Sequence, residues 1–310
     1  MYWDNKRYNY LSGHLKKIFG CKVIKLSLNA NFTCPNRDGS ISDKGCIFCS
    51  EKGSGDFAGS SHFSIKQQLK EQMQLLSKKW PSGKYIAYFQ SFTNTYDTPE
   101  NLRKKYNEAL CCDNVVGLAI ATRPDCLSDD IIDILDEFNK KTYMWVELGL
   151  QTIHESTAKL INRGYDLSVF DKAIKKLRKK NINVVVHLIL GLPFESKNDI
   201  ISSVKYISNL DIQGVKLHLM HILKNTQLET FYKNNKFHVL TQDEYVSLVV
   251  DCLELIPPDI VIHRITGDGP KDLLIEPMWS LNKRAVLNSI EKELKDRNSY
   301  QGIKYKKPTI

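Results

Sequence analysis

The sequence has no run of 18 uncharged apolar residues, and its first seven residues contain no apolar core of the kind that a signal peptide needs. Its eight cysteines among 310 residues are too few for a disulfide scaffold. These absences exclude a helical membrane protein and a small secreted disulfide-rich domain. We therefore expect a chain that works in the cytoplasm, away from membranes, and whose reduced thiols are available to metals.

Signals that would divide the chain are also missing, since it shows no internal repeat, low-complexity tract or linker. Hydrophobic residues make up 42% of the sequence and charged residues 25%, which is typical of a folded globular protein. We expect one catalytic domain over residues 21–240. A basic N-terminal extension over residues 1–20 precedes it, and a helical C-terminal extension over residues 241–310 follows and packs on it.

Short β-branched or apolar runs alternate with amphipathic stretches, which is the pattern of repeated βα units. No Gly-x-Gly-x-x-Gly turn follows the first predicted strand. An α/β fold built as a partial (β/α)6 TIM-type barrel is therefore favoured over a doubly wound sheet. The predicted strands are Val23–Leu28, Tyr85–Phe89, Val115–Ala121, Met144–Leu148, Val184–Leu190 and Val215–Leu219. The predicted helices are Ile65–Lys79, Glu100–Leu110, Asp129–Phe138, Leu167–Lys180, Asp199–Leu210, Thr241–Ile256 and Trp279–Leu294.

Unusual residues collect where the predicted strands end. In a barrel these ends meet at one mouth, and the chemistry takes place there. Besides a cysteine-bearing loop after the first strand, the mouth is expected to hold residues 90–94, residues 122–125, Glu147, Gln151 and residues 191–193. These include Gln90, Ser91, Thr93, Thr122, Gly191 and Pro193.

Three cysteines, Cys34, Cys46 and Cys49, lie in the loop after the first strand, and the last two form a Cys-x-x-Cys pair. Soft thiolates select iron-sulfur clusters or zinc. A structural zinc site needs a fourth protein ligand, for which Cys21 and His62 are the nearby candidates. In an iron-sulfur cluster, by contrast, three cysteines leave one iron without a protein ligand. The spacing alone favours an iron-sulfur cluster, with zinc or plain thiols as alternatives.

Positive charge is concentrated at the two ends of the chain, and the total is +9. Residues 1–25 carry six basic side chains against one acidic one, and residues 281–310 carry eight against three, so each end has a net charge of +5. Lys and Arg gain affinity for polyanions by displacing phosphate counterions, so RNA or DNA is a candidate ligand. The alternative is an ordinary solvated surface.

Four further blocks of sequence add to the signal that the cysteine spacing gives. They are residues 121–125, 146–152, 161–164 and 187–193. With the cysteine loop, they make the chain resemble the radical S-adenosylmethionine (radical SAM) superfamily, in the branch near the catalytic subunit of Elongator. The resemblance implies a partial barrel of the radical SAM type with a 4Fe-4S iron-sulfur cluster on the three cysteines. It also implies that the open iron binds S-adenosylmethionine and that reduction of the cluster cleaves it to an adenosyl radical.

Residues 29–39 and 262–274 resemble a narrower family, the YtqA/YhcC (MnmL-type) family. That resemblance implies a tRNA substrate, whose wobble 5-carboxymethylaminomethyluridine is converted to 5-aminomethyluridine. It also implies electrons from a flavodoxin or ferredoxin, and a functional link to a tRNA methyltransferase.

The superfamily resemblance also implies contacts with S-adenosylmethionine. Gln90, Ser91 and Thr93 would contact its amino group, Gln151 its ribose hydroxyls and Arg163 its carboxylate. Gly191 and Pro193 would let the backbone approach the adenine edge. Phe48, which with Ile47 would shield the cluster from water, and Thr122 complete the predicted cofactor site.

The candidate catalytic residues are Glu147, Arg264 and Lys271. Glu147 interrupts an apolar strand, so it is either a site residue, which we favour, or one half of a structural ion pair. Arg264 or Lys271 would hold a substrate carboxylate. His187 is predicted to be structural, while His218 and His221 are candidates for substrate contact. Two other functions stay open: a radical enzyme acting on a small metabolite or peptide, and a zinc-bearing RNA-binding protein without catalysis.

Overall fold

A computed structural model describes residues 3–53, 55–77, 80, 83–267 and 269–307. Within them the strands are β1 (Val23–Leu28), β2 (Lys84–Phe89), β3 (Val115–Thr122), β4 (Tyr143–Gln151), β5 (Asn183–Leu190), β6 (Gly214–Leu219), β7 (Ile222–Leu223), β8 (Val261–Arg264) and β9 (Leu274–Glu276). The helices are α1 (Leu11–Phe19), α2 (Ile65–Ser77), α3 (Pro99–Leu110), α4 (Asp129–Lys141), α5 (Glu155–Leu160), α6 (Leu167–Lys179), α7 (Lys197–Ser208), α8 (Gln227–Asn234), α9 (Gln242–Leu255) and α10 (Lys283–Asp296).

Seven strands form one parallel sheet in the order β1-β2-β3-β4-β5-β6-β8. The helices between successive strands cover its outer face, as parallel strands require. The predicted partial barrel is confirmed, with one strand more than the six predicted. The seventh, β8, has only four residues and pairs with β6, Val215 opposite Ile262. Such a short apolar run gives no periodic signal, so the sequence assigns this region to a helical extension.

Two apolar clusters lie on opposite faces of the sheet. The larger one lies between the strands and the outer helices and includes Leu148, Phe138 and Phe170. The smaller one fills the concave face of the sheet and includes Ile86 and Trp145. Side chains therefore fill both faces, and the polar groups are left to the strand ends and to one interior cluster described below.

The two ends of the chain meet at the edge of the sheet. Helix α1 packs against both β1 and β8. The amide of Ile262 donates to the carbonyl of Asn9 (2.6 Å), and the amide of Gln301 donates to the carbonyl of Arg7 (2.9 Å). Residues 7–19 thus cover the seam between the two edge strands, β1 and β8, and Gln301 bonds to this segment.

All seven predicted helices differ in their bounds from those in the structure, five of them by one to three residues at their ends. Of the helix predicted over Ile65–Lys79, the last two residues, Lys78 and Lys79, lie outside the described residues. The single helix predicted over Trp279–Leu294 is a 3-10 turn (Met278–Leu281) followed by α10. The break falls at Asn282, whose side chain accepts a hydrogen bond from the amide of Ala285 (3.2 Å) and so starts a new helix. In the described part of the chain, none of the helices has the length and apolarity to cross a membrane.

Candidate active site

The loop that carries Cys34, Cys46 and Cys49 follows β1 directly, so it lies at the carboxyl end of the strands. Local hydrogen bonds shape it. The carbonyl of Cys34 accepts from the amides of Arg37 (2.8 Å) and Asp38 (3.1 Å), and the amide of Cys49 donates to the carbonyl of Cys46 (3.0 Å). All three cysteines are free and partly buried.

The segment after α5 holds this loop in place. The side chain of Asn162 donates to the carbonyl of Gly45 (2.6 Å), and the side chain of Asn36 donates to the carbonyl of Asn162 (2.7 Å). Next to these bonds, the amide of Ile47 donates to the carbonyl of Ile161 (3.1 Å), and the two side chains pack in one small apolar cluster. Residues 161–164 are one of the blocks that carry the superfamily resemblance. They therefore position the thiols by holding the loop that carries them.

The Cys46 thiol lies near the other two thiols and is affected by both. A hydrogen bond with Cys49 and burial raise the pKa of the Cys46 thiol well above its usual value, while the nearby Arg123 opposes the shift. The side-chain amide of Asn36 also points at the Cys46 sulfur, 3.5 Å away. Three neighbouring thiols on one loop fit an iron-sulfur cluster, which they would bind as thiolates. Among the described residues, no three His, Cys, Asp or Glu side chains are grouped as ligands of a single metal ion.

Buried polar atoms without a hydrogen-bond partner lie at the same edge of the sheet. They include Ser91 Oγ and Asn94 Oδ1 after β2, Gln151 Oε1 at the end of β4 and Asn36 Oδ1 in the cysteine loop. Such orphaned atoms are uncommon in folded proteins, and a bound water or a ligand is what usually completes their bonding. Gln151 also has a positive φ of 64°, at a break in the pairing of β4 with β5. These atoms fit a polar cofactor such as S-adenosylmethionine.

The other predicted cofactor contacts are found at the same edge, and their roles stay predictions. Thr93 is buried, and its amide donates to the carbonyl of Thr33 (3.1 Å); Thr122 is buried and shares a hydrogen bond with Thr95 (2.6 Å). Gly191 has a φ of +87°, and Phe48 packs on the small cluster around Ile47. Gln90 directly follows β2, and Pro193 follows β5 by three residues.

Arg163, which the sequence-based prediction assigns to the carboxylate of S-adenosylmethionine, has most of its donors in use within the protein, and its predicted role stays a prediction. Arg163 as a whole is only 1% exposed to solvent. Four of its five N–H donors already have partners, namely Tyr165 O, Leu150 O, Thr152 O and Glu155 Oε1. Arg163 therefore ties the end of β4 to the segment that anchors the cysteine loop.

Arg123 is a functional candidate that the sequence places at the mouth of the barrel without assigning it a role. It forms a two-pronged ion pair with Asp125 (2.9 and 2.7 Å) and donates to the carbonyl of Arg163 (2.9 Å). Although burial opposes it, the bond to Asp125 and the nearby Cys34 and Cys46 raise the pKa of the guanidinium. A fixed positive charge therefore stands beside the thiols. The signal was present in the sequence, since Arg123 is an arginine directly after a buried strand.

Glu147 is fully buried on the concave face of the sheet, inside the barrel. Its Oε1 accepts from Trp145 Nε1 (2.9 Å), and its Oε2 accepts from Tyr88 OH (2.8 Å), His187 Nε2 (2.9 Å) and Lys216 Nζ. Tyr88 lies on β2, Glu147 on β4 and Lys216 on β6, and strands that are not neighbours bring side chains together only inside a curled sheet. We call Lys25, Tyr88, Glu147, His187 and Lys216 the interior charge cluster.

The charges of this cluster are strongly coupled. Burial by itself would raise the pKa of Glu147, but Lys216 and Lys25 lower it well below its usual value, so the carboxylate is ionised. Burial lowers the pKa of both lysines, and the carboxylate partly restores it. Burial also lowers the pKa of His187 to about 4, so this imidazole is neutral at pH 7. The structure therefore satisfies Glu147 by a structural ion pair, the alternative to the role that the sequence favours.

Of the other two predicted catalytic residues, only Arg264 lies near Glu147. It ends β8 and faces the interior charge cluster, where it depresses the pKa of His187, after burial and Lys216. Lys271 is exposed in the loop between β8 and β9 and lies apart from the cluster. Lys25 and Lys216 are further members that the sequence reasoning missed. Like Glu147, they are charged residues inside apolar strands, and that was the available signal.

The comparisons with known proteins agree with this architecture. The sequence matches the radical SAM superfamily over residues 34–207 and the radical SAM C-terminal domain over residues 212–296. It is 52% identical to YtqA of Bacillus subtilis over 297 residues, which cover 96% of this chain and 92% of that protein. It is 33% identical to YhcC of Escherichia coli over 306 residues, which cover 98% of this chain and 97% of that protein.

Among solved structures, an archaeal Elp3 from Methanocaldococcus infernus superposes on 90% of this chain and 64% of its own, with a TM-score of 0.68. The two sequences are 18% identical, so this likeness concerns the fold alone.

Proposed function

The chain belongs to the radical SAM superfamily, in the YtqA/YhcC family near the catalytic subunit of Elongator, and on this premise we propose that it modifies the wobble uridine of tRNA. The proposed reaction converts 5-carboxymethylaminomethyluridine to 5-aminomethyluridine. The family works with a 4Fe-4S cluster and S-adenosylmethionine, which together supply a radical able to abstract a hydrogen atom from the substrate.

The chain's own residues divide the work. Cys34, Cys46 and Cys49 would hold the cluster, and Asn36 and Asn162 fix their loop. The unpartnered atoms of Ser91, Asn94 and Gln151 would bind the polar groups of S-adenosylmethionine. The zinc-bearing alternative is not retained, because the family is one of cluster-bearing enzymes.

The observation that carries the RNA part of the proposal is the meeting of the two basic ends. Arg7 donates to the carbonyl of Ser299 (3.1 Å), and the amide of Asn9 donates to the side chain of Gln301 (2.8 Å). The described parts of the two basic segments, residues 3–24 and 281–307, therefore meet at the surface, while Lys25 lies inside the barrel. The exposed cations of this region include Lys16, Lys17, Arg284, Lys292 and Lys295. Such a region suits the phosphates of a folded RNA.

The partners proposed with this function are a flavodoxin or ferredoxin as electron donor and a tRNA methyltransferase that acts on the product. The proposed place of action is the cytoplasm.

The test is nucleoside mass spectrometry of tRNA from a deletion strain. We expect 5-carboxymethylaminomethyluridine to accumulate at the wobble position and 5-aminomethyluridine and its methylated form to disappear. A plasmid with the wild-type gene should restore the profile, and one with Cys46→Ala should not. An unchanged nucleoside profile in the deletion strain would refute the tRNA assignment and direct the search to a small metabolite or peptide.

A further inference from the structure

Three adjacent strands present cationic or neutral donors at one level inside the barrel. The strand register places His187 on β5 opposite Lys216 on β6, and Lys216 opposite Arg264 on β8. His218 lies two residues further along β6, on the same face and one step nearer the mouth, with its ring 4.9 Å from that of His187. Lys25 joins them from β1, 4.0 Å from Glu147.

The charges of this group do not balance. Lys25, Lys216 and Arg264 are three basic side chains, and Glu147 is the one carboxylate among them, bonded to Lys216. Burial lowers the pKa of both lysines, so Arg264 is the cation of the group that lacks a counter-charge. The two imidazoles do not change the count, because burial lowers the pKa of His187 and His218 and keeps them neutral at pH 7. Uncompensated charge in the interior of a protein is costly unless a ligand provides the missing counter-charge.

The members that remain without partners lie on the accessible side of the group. Within the described residues, Arg264 forms no ion pair or hydrogen bond, although it is only partly exposed. The buried Nε2 atom of His218 also has no partner. By contrast, the side chains of Glu147 and Lys216 are 0% and 1% exposed and bonded to each other, while that of Lys25 is 20% exposed. An incoming group therefore meets donors, not the carboxylate.

We propose that Arg264, His218 and Lys25 form a binding pocket for a carboxylate of the substrate. The planar guanidinium of Arg264 can bind both oxygens of a carboxylate, and the imidazole and ammonium groups add further donors. The pocket lies inside the barrel, so it takes an anion at the end of a narrow chain and excludes the diester phosphates of an RNA backbone. This inference rests on the proposed function, in which the uridine substituent ends in a carboxylate.

The pocket also explains a difference between the two cations that the sequence offers for this role. Arg264 lies beside Lys216 of the interior charge cluster, whereas Lys271 is exposed on the surface. The carboxylate of the substituent would be held by Arg264, and Lys271 would be free to contact phosphates outside. The further assignment of His218 and Lys25 to substrate binding depends on their position beside Arg264 and on no sequence motif.

The test compares two anticodon stem-loop RNAs that carry 5-carboxymethylaminomethyluridine or its carboxamide analogue at the wobble position. Their affinities for the cluster-loaded full chain are measured anaerobically by fluorescence anisotropy. We expect the wild type to prefer the carboxylate form on the order of 10- to 100-fold, as expected for charge-assisted hydrogen bonds. Arg264→Gln and, as a second variant, Lys25→Met should each lower this ratio by roughly tenfold.

The matched control is Arg103→Gln, since Arg103 lies on the outer helix α3 in an exposed ion pair with Glu137. It should keep the wild-type ratio. Equal binding of the two RNAs by the wild type overturns the pocket and leaves the tRNA function standing. An unchanged ratio in both Arg264→Gln and Lys25→Met, each shown to be folded by its thermal midpoint, overturns it as well.

A third arm separates this inference from the proposed function. If neither RNA binds, Arg264 is labelled with phenylglyoxal in the presence of N-methylglycine or its amide, and the label is quantified by peptide mass spectrometry. Protection by N-methylglycine and not by the amide supports a carboxylate pocket that serves a small substrate. Equal labelling under both conditions overturns the pocket.

Discussion

Replacing Glu147 with Gln is expected to destabilise the whole barrel. The carboxylate is fully buried and accepts hydrogen bonds at both oxygens, from Trp145 at Oε1 and from Tyr88, His187 and Lys216 at Oε2. An amide keeps one accepting oxygen, so its NH2 group must face at least one of these donors. Lys216, which is 1% exposed, also loses its counter-charge.

The size of the loss follows from these contacts. Removing one partner of a buried ion pair costs about 3–5 kcal/mol, because the other charge is left unpaired in a dry site. We expect the free energy of unfolding, measured by urea titration at pH 7, to fall by about that amount in Glu147→Gln. In Lys216→Met the carboxylate keeps Tyr88, Trp145 and His187, so a smaller loss is expected.

The double variant Glu147→Gln, Lys216→Met removes both charges and should be more stable than Glu147→Gln alone. The matched control is Glu137→Gln on the outer face, whose ion pairs with Arg103 and Lys141 are exposed and should contribute less than about 1 kcal/mol. If Glu147→Gln unfolds within about 1 kcal/mol of the wild type, or the double variant gains nothing over it, the interior charge cluster does not stabilise the fold in the way described.

Two further outcomes follow from the same contacts. Asn162→Ala removes the bond to Gly45 that holds the cysteine loop, so the cluster absorbance near ~400 nm should be lost several-fold faster to a chelator, while Asn139→Ala on α4 should match the wild type. Because burial lowers the pKa of His187 to about 4, the unfolded chain takes up this proton first as the pH falls, and stability should decline between about pH 6.5 and pH 4. Urea midpoints at pH 7 and 5.5 should therefore differ less in His187→Gln than in the wild type, and a protein that becomes more stable on acidification would contradict the assignment.

Local sequence patterns were sufficient to predict the cysteine loop and six of the seven strands of the main sheet. The strands are continuous apolar runs because both faces of the sheet are covered, and the thiols of Cys46 and Cys49 are neighbours by their spacing alone. The seventh strand, Val261–Arg264, was not predictable because four residues show no period. The start of α10 depended on a cap at Asn282, which an apolar pattern does not reveal.

The interior charge cluster could not be predicted because its contacts are long-range. Tyr88 and Lys216 are 128 residues apart in the sequence, and Glu147 lies between them on a strand that neighbours neither. Only the curvature of the sheet brings them together. For Arg163 the sequence motif is recognisable but does not reveal the contacts. Most of the donors of this side chain bond to backbone carbonyls, which no motif describes.

The contacts at the seam between the edge strands also affect the order in which parts of the barrel can fold during synthesis. Asn9 bonds to Ile262, and Arg7 bonds to Ser299 and Gln301, so these contacts of residues 7–9 can form only after residues 262–301 have been synthesised. Pairing across such a distance is slow, because a long loop must be closed before the bond forms. On the ribosome, the early strands and the thiol loop thus emerge well before the residues that close the barrel wall, Ile262 and Gln301.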